Sequence, residues 1–350
     1  MLYIDKHAPR TLEKLDYHAE LTQCLKAIAG ASNLPHLLFF GPSGAGKMTR
    51  IRSLLRAIFG NGVYKTKIEK RTLKPEGSST SMEVTMVGSN FHVEVNPSAS
   101  GSKDTVVVQE VIKEISSSRS LDATRGFKVV VISDADKLSK QAQAALRRTM
   151  EMRTRACRII LCSESPSKII SPLRSRCLGL RVPAPQLEDI ASVLTEVARK
   201  EGLDLPKELA MRIADTSGRN LRRALLMLQA ARVESYPFRA DQQVRKTDWE
   251  VAVAVIASLV VKDQGPQTLL KCRSKIYELL VNCVPAELIM AKLTEHLMEN
   301  CDDSLKIKTA EAAAFYSHGM TMGQKDIIHI EALLAKHMFQ RKQWLTELFG

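Results

Sequence analysis

Short apolar runs alternate with amphipathic stretches through the first half of the chain, a pattern that predicts a parallel α/β sheet. "HLLFFG" (residues 36–41) reads as a buried strand ending in a glycine turn. The helix that follows begins near Gly46, with Ile51, Leu54, Leu55, Ile58 and Phe59 on one face and Gly60 as its stop. Further strands are expected at residues 91–95, 127–133, 157–163 and 177–182. Helices are expected over "TVVVQEVIKEIS" and "KQAQAALRRTMEM". The polar segment "KRTLKPEGSSTSMEVTMVGSN" reads as an insertion holding a loop or hairpin.

"VPAP" (residues 182–185) marks a boundary, because its prolines stop both helix and strand. Three short helices are predicted from residue 186 to about 235, and "YPFRADQQVRKTD" reads as a linker. From Asp248, taken as a helix N-cap, to the end the pattern is a helical bundle, with "CVPAELIMAKLTEHLMEN" and "KDIIHIEALLAKHMF" strongly amphipathic. The division expected is an α/β domain over 1–182, a small helical domain over 183–236 and a helical domain over 246–350.

Composition narrows the function class. A 45% hydrophobic and 25% charged chain of 350 residues is ordinary for a globular protein, and its length calls for two or three domains. Aromatics at 5% argue against a base-stacking platform. The net charge of +13 points to an anionic partner, most simply nucleic acid, although a basic chain is also soluble for its own sake. Seven cysteines without a C-x-x-C pair fit neither a zinc site nor a disulfide framework and suit a reducing compartment. No apolar run approaches the ~20 residues of a membrane span, and "MLYIDKHAPRTL" lacks a signal-peptide core. An intracellular protein with no membrane partner is expected.

"GPSGAGKMTR" (residues 41–50) satisfies G-x-x-x-x-G-K-[ST] through Lys47 and then breaks it at Met48. The motif follows a predicted strand and opens a predicted helix, as a phosphate loop must. Gly41, Pro42, Ser43, Gly44, Ala45, Gly46, Lys47, Met48 and Thr49 are therefore the candidate nucleotide-binding residues. The N–H groups from Gly44 to Thr49 would converge on phosphate oxygens, with Lys47 adding a full charge. A thioether at position 48 is a poor ligand for Mg²⁺, which wants oxygen. Thr49 does not replace it, because one step along a helix turns a side chain by about 100°, though it is placed to reach an oxygen nearer the α-phosphate. Met48 equally suits the apolar stripe three residues before Ile51.

"VVVISDAD" (residues 129–136) is a buried strand ending in acids, where such sheets carry a metal-holding Asp and a water-polarising Glu. The succession "ISDADKLSKQAQAALRRTME…SPLRSRC" resembles the small subunits of replication factor C, the sliding-clamp loader of the AAA+ superfamily. The resemblance runs over nearly the whole chain, from "YIDKHAPRTL" through "NLRRALLML" to "HIEALLAKHM". The insertion after Gly60, "NPSASG", "RVPAP" and "YPF" favour one branch, numbered three in one nomenclature and five in another. It implies an AAA+ P-loop domain, a helical lid domain and a C-terminal helical collar.

Active members of that family end the strand D-E-A-D. Here Ser133 takes the first place and Asp134 the second, Glu164 falls where a polarising Asn is usual, and His7 and Ala8 replace Tyr and Arg of the adenine-side box. The resemblance thus implies a site that binds ATP or ADP, holds Mg²⁺ doubtfully and does not hydrolyse. Arg176 of "SRC" matches the arginine finger projected into a neighbouring subunit's site, a group worth about 10³ to 10⁵ in rate in related NTPases. Arg222 matches the lid arginine that closes on phosphate, while Arg223 is expected to face solvent. Arg147 and Arg148 lie on a helix that faces the adjacent subunit in the family, or form a solvated charged face.

The implied partners are the other subunits of a hetero-pentamer, the sliding clamp and primer–template DNA, in the nucleus. Lys103, Lys140 and Lys168 are candidate DNA contacts, with solvated lysines as the plain alternative, and Thr105 stands where this branch often has Arg. Two other readings remain open: a self-sufficient DNA-dependent P-loop ATPase using Asp134 or Asp136 for its metal, and an architectural protein whose loop is a relic.

Overall fold

The computed structural model describes residues 1–31, 33–73, 82–98, 104–117, 126–152, 156–299, 301–323 and 325–349. It divides into two compact units, Met1–Val244 and Arg245–Gly350.

The first unit is built on a seven-stranded sheet of order β2-β3-β4-β5-β6-β1-β7. Its strands are β1 (Leu37–Phe40), β2 (Lys67–Leu73), β3 (Met82–Gly88), β4 (His92–Val95), β5 (Lys128–Ile132), β6 (Cys157–Ser163) and β7 (Leu178–Arg181). Strands β4, β5, β6, β1 and β7 run parallel. The expectation of a parallel sheet needs correcting at one edge, where β2 pairs antiparallel with β3, and β3 antiparallel with β4. The polar insertion supplies this hairpin. Its strands alternate rather than running continuously apolar, as suits an edge where one flank meets water.

Alternation along the buried strands splits their side chains between two faces. Leu37 and Phe39 of β1 join the core under α2 (Ala19–Gly30) and α3 (Lys47–Phe59). Leu38 joins Val130, Ile132, Ile159 and Leu161 under α4 (Asp104–Ser117) and α5 (Lys140–Met152). A short turn of helix, α6 (Ser171–Arg174), precedes β7. The expected α3 face is buried at Ile51, Leu54 and Leu55, and Gly60 ends the helix with φ +78°.

After β7 come α7 (Leu187–Lys200), α8 (Lys207–Thr216) and α9 (Leu221–Glu234), the three helices the pattern predicted. They bury Ile190, Leu194, Leu209, Ile213 and Leu228 together with Tyr3 of the N-terminal α1 (Tyr3–Lys6). Phe238 is buried in the same cluster and Val244 packs against it, so much of the expected linker belongs to this core.

The second unit is helical: α10 (Asp248–Lys262), α11 (Pro266–Val281), α12 (Ala286–Glu299), α13 (Asp303–Met322) and α14 (Asp326–Phe349). Asp248 is not the N-cap of α10. That place belongs to Thr247, whose N–H and hydroxyl both donate to the Glu250 carboxylate at 3.3 and 2.8 Å. The residue three places on, rather than the first acid, identifies this cap.

Candidate nucleotide site

The phosphate loop links β1 to α3, and its glycines are fixed by what they touch. Gly41 has φ +152°, and a Cβ there would stand 1.9 Å from the Val182 carbonyl oxygen. Gly44 (φ +73°) lies against Asn220, whose Oδ1 would be 1.8 Å from an added Cβ. Asn220 itself caps α9, its Oδ1 accepting the Arg223 N–H at 3.1 Å. Gly46 (φ +85°) is the residue before α3, and a Cβ on it would meet the Tyr17 hydroxyl at 2.5 Å. Pro42 and Ser43 are exposed at the tip, Ala45 is buried and Thr49 half-buried.

Lys47 opens α3 and folds back over the loop, donating from Nζ to the carbonyls of Gly41 (2.7 Å) and Pro42 (3.0 Å). A phosphate would offer that ammonium a charged acceptor in place of neutral ones, which strengthens the bond. Met48 packs, partly buried, against the core of Leu54, Leu55 and Phe39. Its place in the apolar stripe is thus the one it occupies. A sulfur turned into a core is no ligand for a hard cation.

A cavity of about 740 Å³ opens beside the loop. His7 and Ala8, Asp16 and Tyr17, Gly44, Gly46 and Thr49, and Val193, Glu196 and Arg222 are among the residues around it. Burial raises the Asp16 carboxyl above its ordinary value, the Glu196 carboxylate adds to this and Lys200 opposes it. Arg222 is exposed on this wall, whereas Arg223, expected in solvent, is half-buried, with its Nε enclosed. One step along α9 turns that residue toward the helical core.

His7 takes a structural bond at the cavity's rim. Its Nε2 and Lys6 Nζ each lie 2.6 Å from Glu201 Oε1, and Arg232 approaches Oε2 at 3.6 Å. The hydrogen bonds from Lys6 and then His7 pull the Glu201 carboxyl below its usual value. Tyr3 N–H donates to Gln229 Oε1 at 3.1 Å, so the N-terminal box is tied to the helices that carry Arg222.

The parallel register brings the acidic residues to the same end of the sheet as the loop. The buried Cys162 thiol makes this visible. Burial pushes it up to about 11, Lys47 opposes the rise, and Asp134, Asp136 and Glu164 add to it. Ser133 continues β5 with its N–H on the Val95 carbonyl at 3.0 Å and presents only a hydroxyl where the metal-holding acid is expected. Asp134 has φ +50°, and its Oδ2 lies 3.4 Å from both Asn96 Nδ2 and Lys137 Nζ. Asp136 keeps one buried oxygen, Oδ1, without a hydrogen-bond partner. Asp134 and Asp136 keep carboxylate oxygens here, but a core-packed sulfur at Met48 and a neutral hydroxyl at Ser133 replace the hydroxyl and the acid expected to hold Mg²⁺, so the donor set suits that ion poorly.

Arg176 lies away from this end of the loop, at the surface after α6. Its NH1 donates to the Pro172 carbonyl at 2.8 Å and its NH2 meets Glu151 Oε1 at 2.5 Å. Arg147 shares that carboxylate at 3.3 Å. The Arg147 hydrogen bond, opposed by desolvation and aided by the Arg176 charge, pulls the Glu151 carboxyl down. Exposed pairs of this kind hold a side chain loosely. The segment carrying Arg176 is itself anchored by buried Gln143, which donates to the carbonyls of Leu138 (3.0 Å) and Lys168 (3.2 Å) and accepts the Ile170 N–H at 2.9 Å.

Three family models match the chain. "Replication factor C subunit 3, C-terminal domain" matches residues 249–345, "RCF1/5-like, AAA+ ATPase lid domain" residues 192–233, and "DNA polymerase III, delta subunit" residues 17–186. Over 348 residues the chain is 49% identical to replication factor C subunit 3 of Mus musculus, covering 99% of this chain and 98% of that one. The chain belongs to the replication factor C family. Replication factor C subunit 3 of Arabidopsis thaliana is 45% identical over the full length of both chains. Replication factor C subunit 5 of Schizosaccharomyces pombe is 40% identical over 97% of this chain and 96% of its own. Thermotoga maritima RuvB, a Holliday junction branch migration motor, superposes with a TM-score of 0.53 at 14% identity, covering 77% of this chain and 85% of that one. That likeness carries the AAA+ fold alone.

Several residues that matter in this replication factor C chain were not singled out from the sequence: Arg50, Tyr17, Glu151, Asn220 and Gln143. Arg50 had a readable signal, because it lies four residues before Leu54 on the apolar face of α3. Of the candidate DNA contacts, Lys140 opens α5 and Lys168 precedes α6, both exposed; Lys103 lies outside the described residues. Thr105 bonds to Asp104 Oδ1 at 3.3 Å, and Asp104 accepts the Ser139 N–H and hydroxyl at 2.6 and 3.0 Å, holding the residue whose hydroxyl oxygen caps α5 by accepting the Ala142 N–H at 3.1 Å.

Proposed function

We propose that this chain is the clamp-loader subunit that holds ATP or ADP without hydrolysing it and completes a neighbouring subunit's ATP site with Arg176. The observation that carries the reading is the contrast within one site. Gly44, Gly46, Thr49 and Arg222 line a cavity of about 740 Å³ and Lys47 folds over the same loop, while positions 48 and 133 offer a core-packed sulfur and a neutral hydroxyl.

Hydrolysis needs charge neutralised at the γ-phosphate and a water oriented toward it. The carboxylate of Glu164 at the polarising position adds negative charge beside the γ-phosphate instead of neutralising it. Arg176, held at the surface by a shared and exposed ion pair, is free to swing to another subunit's phosphate, where its planar fork and permanent charge suit the transition state.

In this reading residues 1–182 are the AAA+ domain, 183–236 the lid and 246–350 the collar of a hetero-pentamer. The collar helices leave Ile307, Phe315 and Phe339 largely exposed, which supports burial against other subunits. The positive charge supports contact with primer–template DNA through the phosphate backbone, with Lys140 and Lys168 as candidates, and the assembly would act with the sliding clamp in the nucleus.

Steady-state ATPase of the reconstituted hetero-oligomer tests the finger. Arg176→Ala is expected to remove the share of turnover contributed by the one site it completes, because losing a finger costs about 10³ or more in rate at that site, with assembly size unchanged. Unchanged turnover would overturn the assignment.

A further inference from the structure

Among the described residues, the largest fully buried side chain is a cation. Arg50 on α3 is 0% exposed. Its NH1 donates to the Ala45 carbonyl at 3.2 Å and its NH2 to the Tyr17 carbonyl at 3.0 Å. Its guanidinium carbon lies 4.3 Å from the centre of the Tyr17 ring. The Tyr17 hydroxyl donates to the same Ala45 carbonyl at 3.1 Å. Arg50 Nε has no hydrogen-bond partner, and among the described residues no carboxylate pairs with the guanidinium.

A buried charge without a counter-ion is expensive, and carbonyl dipoles and a ring face answer it only in part. The missing negative charge is expected from outside the protein. The position of Arg50 says where. Two donors draw the Ala45 carbonyl toward Arg50 and Tyr17, and a trans peptide points its N–H the opposite way. The Gly46 N–H is therefore turned from Arg50 toward the open side of the loop. A Cβ at Gly46 would come within 3.0 Å of Arg50 NH1, so the guanidinium lies directly behind the phosphate cradle.

We propose that Arg50 is the buried counter-charge of the phosphate loop, and that with Lys47 it lets this chain hold a nucleoside di- or triphosphate free of divalent metal. The inference rests on the nucleotide-binding reading above and adds the form of the ligand. In ordinary phosphate loops a metal ion neutralises part of the polyphosphate. Here the residues for that ion are unsuited, and a fixed cation behind the loop takes its place. Arg50 acts as a positioning residue and through its field rather than by touching phosphate.

The test is equilibrium binding of ADP and AMP to the purified full chain, by competition against a fluorescent ADP, in EDTA and in Mg²⁺. For the wild type, ADP affinity in EDTA is expected to lie within about twofold of that in Mg²⁺. Arg50→Met should weaken ADP by roughly tenfold or more, equivalent to about 1.4 kcal/mol, and AMP several times less, because the lost field acts on the β-phosphate in the cradle. Arg50→Lys should restore much of the ADP binding.

Two results would overturn the proposal: wild-type binding that collapses in EDTA, or equal losses for ADP and AMP in Arg50→Met, the mark of a merely deformed loop. The EDTA comparison needs no variant, so poor folding of Arg50→Met leaves the proposal exposed. A wild type that binds no nucleotide under either condition would defeat the nucleotide-binding reading as well.

Discussion

Gly41 and Gly60 both sit at positive φ, yet their surroundings differ. At Gly60 an added Cβ would meet nothing within 4 Å, so only backbone strain opposes a side chain there. At Gly41 it would run into the Val182 carbonyl, which accepts no shift because Val182 N–H is already bonded to Phe40 at 2.8 Å at the end of the β1–β7 ladder. Gly60→Ala is expected to cost roughly 1–3 kcal/mol, the strain of an L residue at φ +78°, ψ −162°, a region essentially reserved for glycine, and to leave nucleotide binding unchanged. Gly41→Ala should cost clearly more and abolish binding, as urea unfolding with a parallel ADP titration would show. Equal costs would mean that the loop's close approach to β7 has been misread. The glycine motif was visible in the sequence as spacing; the reason each glycine is needed was not. Val182, Asn220 and Tyr17 reach the loop from distant parts of the chain, and no local pattern announces such contacts. Arg223 shows the same limit, since only the packing of α9 decides which of two adjacent arginines meets the cavity.

Helix α3 carries the loop at one end and is tied to the sheet along its side. Arg52 donates to both oxygens of Glu94 on β4, at 2.8 Å from Nε and 2.7 Å from NH2. Burial would raise this carboxyl, but the Arg52 bonds, with help from His92, bring it down to about 2. A folded value below the unfolded one means that the unfolded chain takes up protons first. The stabilisation is therefore present above about pH 4.5 and is lost as the pH falls toward 2, roughly 2–3 kcal/mol in all. Glu94→Gln should be less stable at pH 7 and should show a shallower fall in Tm between pH 5 and 3 than the wild type. Parallel curves for the two would remove the ion pair from the account. Most elements were legible from periodicity. Strand β6 and helix α5 match their expected limits, because apolar runs and 3.6-residue patterns are strong there. The antiparallel edge was read only as a loop or hairpin. Strand direction depends on the connection, and the segment between β2 and β3 has neither a helix signal nor the length for a crossover. The ion pair across α3 and β4 had no local signature.

Taken together, the chain combines a phosphate cradle with Met48 and Ser133 at the positions expected to hold a metal, and an arginine at the surface of another element. Its positive charge and the exposed apolar side chains of the helical unit suit an assembly on an anionic polymer. Membership of the replication factor C family makes other replication factor C subunits its partners. In the proposed reading, nucleotide occupancy and nucleotide cleavage are separated between chains. The most direct test mixes the purified chain with a stoichiometric amount of labelled ATP and Mg²⁺, then follows bound and cleaved nucleotide in acid-quenched samples over time. The account predicts that the chain retains nucleotide and that the bound ATP stays uncleaved across the period in which the reconstituted hetero-oligomer turns over many times. Conversion of the bound ATP to ADP by the chain alone, at a rate comparable to that of the assembly, would contradict it.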